Sequence, residues 1–358
     1  MSYNIKITYF GILRSISSWS KVARNIISEL IKFGVDLNIY ERKGFLYDEK
    51  FEVGNMERFV ENRFKGDFVF TFEHPKNYEY LPQRSIKIGF LVYEFSRLPD
   101  LWVENINRYL DFVFVPSRFT YNVFKKSGVD IKRLKILRYG VDRNIYFRAK
   151  DNENRKDKIR FLTIASPHKR EGVDLMLEAF WKAFSEVEDV ELLLKLTYTT
   201  DKPKSFEIKN FNKLIEDYKN KLGEKLIINH NKLTEFEVAN LYRSSDYYFS
   251  LSKAESFGLC FLESLACGKP TITLNYSGHS DFLNEENSYF IDYQLRKTNA
   301  DEYEKTNYTQ YIAFADIDDC ICKLKKIYFE KTKKIFSFDY DYYDWKNIVD
   351  EFLKTIIK

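Results

Sequence analysis

Short apolar runs rich in β-branched and aromatic residues alternate along this chain with amphipathic stretches of helical period, and the alternation occurs twice. Runs over 5–9, 35–40, 68–72, 87–92 and 111–115 read as strands. Most are nearly continuous in apolar residues, as expected for a parallel sheet covered on both faces. The stretch 20–32 reads as a helix with Val22, Ile26, Ile27 and Leu30 on one face and Gly34 as its stop. A second predicted helix, 117–126, is capped by Ser117. After a polar, aperiodic stretch the pattern restarts. Strands are expected over 160–164, 190–196, 225–228, 247–250 and 270–274, with helices over 173–184, 208–222, 235–243 and 258–267. These halves predict an α/β protein of two Rossmann-like doubly wound domains facing a central cleft, where ligands bind at the carboxyl ends of strands. The expected boundaries are 1–147, a linker over 148–158, a second domain over 159–335, and a helical tail over 336–358 that packs back on the first domain.

A chain of 358 residues with 44% hydrophobic and 31% charged residues can fill two cores. The 32 Phe and 26 Tyr suit core building and, in part, a sugar-stacking surface. A net charge of +4, from 57 basic and 53 acidic residues, lacks the footprint of a nucleic-acid binder, while a local basic patch leaves room for peripheral membrane contact. Cys260, Cys267, Cys320 and Cys322 show neither metal nor disulfide spacing, so buried free thiols are expected. The first residues enter a strand-like run directly and no apolar stretch reaches the length of a membrane span, which predicts a cytoplasmic protein.

The most informative stretch is A-E-S-F-G-L-C-F-L-E-S-L-A-C-G-K-P over 254–270. A strand ends just before it. A loop carries Glu255, Ser256, Phe257 and Gly258, and a helix opens at Leu259. The loop amides and the helix N-terminus offer unpaired donors and a positive dipole end, which suit a diphosphate. Glu263, further along the helix, can accept both hydroxyls of a vicinal diol such as a ribose. Glu255, on the other side of the phosphate position, can grip hydroxyls of a transferring sugar. Two glutamates eight apart arise often by chance; the flanking S-F-G-L and L-A-C-G-K-P give the pair its weight.

At these residues the chain resembles the family 4 retaining glycosyltransferases, of GT-B fold, whose pattern is E-G-F-G-L-P-x-x-E-A-x-A-x-G-x-P. Ser256 replaces the first glycine and Cys260 the proline. Leu241-Tyr242-Arg243-Ser244-Ser245-Asp246 and Ser277-Gly278-His279-Ser280-Asp281-Phe282 resemble further motifs of that family. So do Val115-Pro116-Ser117-Arg118-Phe119 and Tyr139-Gly140-Val141-Asp142, with Tyr139 where histidine is usual.

Supporting residues follow from position and resemblance together. Ser166, Lys169 and Arg170 lie in a loop between a strand and a helix, where a pyrophosphate would be neutralised. Glu171 occupies a position where the family commonly has a phosphate-binding lysine. Lys195 interrupts an apolar run and must find a partner, reach the donor or sit on a sheet edge. Asn231 and His230 fall in the loop that runs beside the nucleobase in the family, although a structural role suits His230 better. His74 and Glu94 follow first-domain strands and are candidates for sugar or acceptor contact and catalysis; a structural role is the plain alternative for His74. Gly11 follows the first strand, where the backbone passes close to the acceptor or the diphosphate, or simply turns. His279 is a weaker sugar-pocket candidate.

The resemblance implies transfer of a hexose-type sugar, with retained configuration, from a UDP- or GDP-linked donor to a saccharide, lipid-linked or protein acceptor. It implies leaving-group stabilisation by basic residues and helix-end dipoles, with no metal site and no cofactor besides the donor substrate. Glu255 is named as the sugar-orienting group. Two alternatives stay open at this point: a degenerate GT-B partner subunit, and a nucleotide-sugar epimerase.

Overall fold

The computed structural model describes residues 3–44, 47–149, 158–197, 206–298, 308–331 and 334–357. The chain divides into two compact units, one of Met1–Gly140, Asn299–Gln310 and Asp341–Lys358, the other of Val141–Thr298 and Tyr311–Tyr340. Most of the expected linker, 150–157, lies outside the described residues.

The first unit contains β1 (Lys6–Gly11), α1 (Ser18–Lys32), β2 (Asp36–Glu41), β3 (Phe68–Thr71), β4 (Ile86–Phe90), α2 (Asp100–Tyr109), β5 (Phe112–Val115), α3 (Arg118–Ser127) and β6 (Leu134–Ile136). All paired strands are parallel, in the order β2-β1-β3-β4-β5-β6. The chain therefore reverses direction across the sheet between β1 and β3, and the crevice outside their carboxyl ends is the expected ligand position. Helix α1 begins two residues before the sequence pattern does, because the Ser17 hydroxyl accepts the Ser20 amide at 3.3 Å and caps it. It buries Val22, Ala23, Ile26, Ile27 and Leu30.

The second unit contains β7 (Ile159–Ala165), α4 (Val173–Phe184), β8 (Val190–Leu196), α5 (Phe206–Leu222), β9 (Leu226–Asn229), α6 (Glu235–Arg243), β10 (Tyr247–Phe249), α7 (Leu259–Ala266), β11 (Thr271–Leu274) and β12 (Ser288–Ile291). The pair β13 (Tyr293–Thr298) and β14 (Gln310–Ala315) and helix α8 (Ile317–Glu330) follow. Its large sheet runs β12-β11-β10-β7-β8-β9, the 3-2-1-4-5-6 order of dinucleotide-binding sheets. Here the reversal falls between β7 and β10. Every residue of β8 is buried, including Glu191 and Lys195 in its otherwise apolar sequence. The two six-stranded sheets are the Rossmann-like halves of the GT-B fold.

Helix α9 (Trp345–Ile357) belongs to the first unit and packs on α1. Its Phe352 ring lies 5.1 Å from Phe70 and 5.3 Å from Phe114. Tyr139, which stands where the resembled motif usually has histidine, is a core residue of this unit, 5.6 Å from Phe90 and 6.5 Å from Trp345. No helix among the described residues is long and apolar enough to cross a membrane.

The cysteines depart from the sequence expectation at two positions: Cys322 is exposed on α8 and Cys260 is partly covered, whereas Cys267 and Cys320 are buried. Burial pushes the Cys260 thiol up to about 12, although it sits in the first turn of α7, where a helix N-terminus would lower it. Cys267 is likewise pushed up to about 12. Brief alkylation of the native chain at neutral pH is expected to mark Cys322 and to leave Cys260, Cys267 and Cys320 unmodified in a peptide mass map.

Candidate functional site

The switch point of the second sheet lies where the loop after β7 meets the loop after β10, and both loops carry predicted site residues. Arg170 crosses between them. Its Nη1 donates to the Ala254 carbonyl at 2.6 Å and to Glu255 Oε1 at 3.2 Å. Its Nη2 donates to Glu171 Oε1 at 2.9 Å. Ser166 Oγ donates to the same Glu171 oxygen at 3.1 Å. The loops are also joined through the backbone, because the Lys253 amide donates to the Arg170 carbonyl at 2.8 Å. One guanidinium thus sits between two carboxylates. Glu171, which cannot itself hold a phosphate, shares that cation with Glu255.

Glu255 is held through one carboxylate oxygen and through both of its backbone polar groups. Ser252 Oγ donates to Oε1 at 2.8 Å. The Glu255 amide donates to Ser277 Oγ at 2.8 Å, and its carbonyl accepts the Gly278 amide at 2.8 Å. Ser277 holds φ at 76° and ψ at −150°, a conformation L-residues rarely adopt. Such strain persists only where the surroundings impose it, and it clusters at working sites. Ser252 and Ser277 are absent from the sequence-level site. They act through the fold, three and twenty-two residues away, and only the S-G-x-x-D-F motif hinted at the second.

Helix α7 opens beside this carboxylate. Its N-cap is Gly258, left-handed at φ 90°, with no side-chain cap. A Cβ there would lie 2.8 Å from the Phe261 ring and 2.9 Å from the His279 Cβ, so the turn requires glycine. An N-terminus without a side-chain cap keeps its first-turn amides available for an anion. Ser256 and Phe257 are buried in the loop, with the Phe257 ring 5.1 Å from Phe282. His279 is a structural group: it is fully buried, its Nε2 lies 2.7 Å from the Leu274 carbonyl, and its ring packs 4.4 Å from Phe261. Burial lowers its pKa.

Glu263 is buried on α7 and its Oε2 accepts the Tyr242 hydroxyl at 3.2 Å. Tyr242 ends α6 and is itself fully buried. It was visible in the sequence only as part of L-Y-R, with nothing to link it to Glu263 twenty-one residues on.

The remaining basic candidates separate. Lys169 is exposed. Lys195 is not at a sheet edge, since β8 lies between β7 and β9. Its ammonium is buried and donates to the Leu196 carbonyl at 2.7 Å, and burial lowers its pKa. Lys253, unnoticed in the sequence, is buried beside the Arg170 backbone, 3.5 Å from Asp174 and 4.8 Å from the centre of the Phe314 ring. Asn231 and His230 are exposed, and the Asn231 amide is tied to the Asn229 side chain at 2.9 Å.

In the first unit, Gly11 ends β1, and a Cβ there would meet the Tyr9 hydroxyl at 2.7 Å. Glu94 is buried after β4, and its charge contributes to raising the Tyr139 phenol. His74 caps a 3-10 turn, its ring nitrogen accepting the Lys76 amide at 3.2 Å, and packs edge-on 4.6 Å from Trp102. Burial, aided by Lys76, lowers it from 6.5 to about 4. Both folded and unfolded chains hold this imidazole neutral at pH 7. Between pH 6.5 and 4 the unfolded chain takes up the proton and the folded chain does not, so stability falls with pH in that window. His74→Asn, which keeps a capping acceptor, is expected to lose less stability than wild type between pH 7 and 5 in urea titrations.

Comparison with known proteins bears on this geometry. Residues 146–305, which contain the β7 and β10 loops and α7, match the family model described as glycosyl transferases group 1. Curated relatives of the group 1 segment include a D-inositol 3-phosphate glycosyltransferase of Paenarthrobacter aurescens, 27% identical over 165 residues, covering 44% of this chain and 39% of the relative. A probable sucrose-phosphate synthase of Thermosipho melanesiensis is 25% identical over 172 residues, covering 47% of this chain and 38% of the relative. The matches thus span well under half the length of these relatives. The fold extends further than the group 1 segment. The crystal structure of Anabaena HepE in complex with UDP and glucose aligns over 99% of this chain and 100% of its own, with a TM-score of 0.70 at 12% identity.

Proposed function

We propose that this chain is a retaining, metal-independent hexosyltransferase of the family 4 type. It moves sugar from a UDP- or GDP-linked donor to a saccharide, lipid-linked or protein acceptor with an α linkage. The observation that carries the reading is the fixed Glu255 carboxylate beside the uncapped N-terminus of α7, at the carboxyl ends of β7 and β10. The α7 amides receive the diphosphate, with Lys169 and Arg170 supplying positive charge. Glu263, oriented by Tyr242, accepts the ribose hydroxyls. Glu255 orients the sugar, and charge developing on the leaving diphosphate is met by these pre-placed donors. A diphosphate approaching Arg170 competes with Glu171 and Glu255 for the guanidinium, so donor binding and release of Glu255 Oε1 from Arg170 are coupled steps. We assign the protein to the cytoplasm, at the membrane periphery where the acceptor is lipid-linked.

The test is a transfer assay with UDP-glucose, UDP-galactose, UDP-N-acetylglucosamine and GDP-mannose against mixed saccharide acceptors, with the product anomer read by proton NMR. An α-linked product from an α-linked donor supports the reading. Epimerised donor without acceptor, or no release of nucleoside diphosphate, overturns it.

A further inference from the structure

At the carboxyl end of the first sheet lies a recess that the donor site does not use. It is an open recess of about 330 Å³ lined by Phe10, Tyr40, Arg42, Phe64 and Tyr80. Phe10 and Tyr40 are the penultimate residues of β1 and β2, and Arg42 directly follows β2. The recess therefore lies beside the last residues of β1 and β2. Its volume falls in the range of small-molecule sites.

The lining has a definite chemistry. The rings of Phe10, Tyr40 and Phe64 lie 4.9 to 5.2 Å from one another and form one aromatic wall. Tyr80 is 59% exposed, so its ring is held open to solvent instead of being spent in the core. Arg42 stands beside this wall, its guanidinium carbon 5.8 Å from the Phe10 ring centre. Among the described residues its ion pair is with Glu73, through Nε at 3.6 Å, which leaves the outer edge of the guanidinium fork directed elsewhere. The neighbouring Arg14 is compensated twice, by Glu41 and Glu57.

Aromatic faces and phenol hydroxyls suit a sugar ring, which presents C–H faces and polar edges. A planar guanidinium matches a carboxylate in two parallel hydrogen bonds. We propose that this recess binds a sugar ring bearing a carboxylate, and that it holds that unit of the acceptor; the acceptor role rests on the transferase reading above. Tyr40 and Tyr80 pack on and hydrogen-bond the ring, and Arg42 selects the acid over the neutral sugar.

The experiment titrates the full chain with methyl β-glucuronide and methyl β-glucoside by saturation-transfer NMR, with UDP titrated in parallel. Wild type is expected to bind the glucuronide about tenfold or more tighter than the glucoside, as a charge-assisted bidentate contact implies. Arg42→Gln, and Arg42→Lys, which keeps the charge but loses the fork, are each expected to erase most of that preference. Tyr80→Ala, at an exposed position that leaves the core intact, weakens both ligands. Equal binding of acid and neutral sugar by wild type, unchanged preference in both Arg42 variants, or no binding of either sugar overturns the inference. UDP binding with no glucuronide binding defeats this inference alone. Glucuronide binding without UDP leaves a carbohydrate site and defeats the transferase reading and the acceptor role.

Discussion

Glu255→Gln is expected to lower kcat/KM for sugar transfer by about 100-fold or more while leaving the affinity for the nucleoside diphosphate within a few fold. The backbone of residue 255 is held by Ser277 Oγ and the Gly278 amide, and neither contact involves the substituted group. The amide therefore takes the place of the carboxylate without moving it. What changes is charge: Ser252 Oγ and Arg170 Nη1 both donate to Oε1. An amide nitrogen turned toward Arg170 would meet a donor, and an amide oxygen there would accept with less strength than a carboxylate. The N-terminus of α7, where the proposal places the diphosphate, is untouched. Steady-state kinetics with calorimetry of UDP or GDP checks both halves. A variant that loses nucleotide affinity as steeply as turnover would assign Glu255 to donor binding at large instead of to orientation of the sugar.

The second large effect is structural. Gly172 joins the 3-10 turn Lys169–Glu171 to α4 with φ at 65°. A Cβ on it would lie 2.1 Å from the Leu251 carbonyl oxygen and 2.8 Å from the Leu251 carbonyl carbon. The obstacle is backbone in the loop after β10, so it cannot swing aside as a side chain can. Gly172→Ala is expected to cost on the order of 3 kcal/mol or more, combining a strained left-handed alanine with a displaced loop. The displacement would part Arg170 from Glu255, so nucleotide affinity should fall together with the urea midpoint. A variant as stable as wild type would mean that the two loops meet more loosely than these distances state.

How far the sequence reached can be judged at particular residues. The runs that became β7 and β8 were legible because both faces of a parallel strand are covered, which leaves a mostly apolar signature that few polar residues interrupt. The E-x7-E segment was legible because its glycine, its helix and its stop are all local. Helix α2 and strand β6 were not anticipated. Strand β6 has three residues, of which Leu134 alone is buried, and α2 buries only Trp102 and Ile106. Strand β13 is mostly exposed and offers little apolar pattern. At the site, Ser252 escaped notice, and Tyr242 and Ser277 were seen only as parts of motifs, because each acts on a glutamate through tertiary contact. Lys195 shows the converse limit. A lysine in an apolar run announces an unmet need, but the partner it found, the carbonyl of the next residue, leaves no mark in the sequence. Arg170 was read as a phosphate contact; in this structure it pairs with two of the protein's own carboxylates, Glu255 and Glu171.

The central claim is that the β7/β10 switch point of the second unit holds a nucleoside diphosphate, with α7 at the phosphates and Glu263 at the ribose. The most direct measurement is a calorimetric titration of the intact chain with UDP and with GDP, repeated on Glu263→Gln. The account predicts saturable one-to-one binding of one of the two nucleotides by wild type and a loss of about tenfold or more in Glu263→Gln, from a missing charge-assisted acceptor. Absence of binding to either nucleotide at millimolar concentration, or equal binding by wild type and Glu263→Gln, would contradict it.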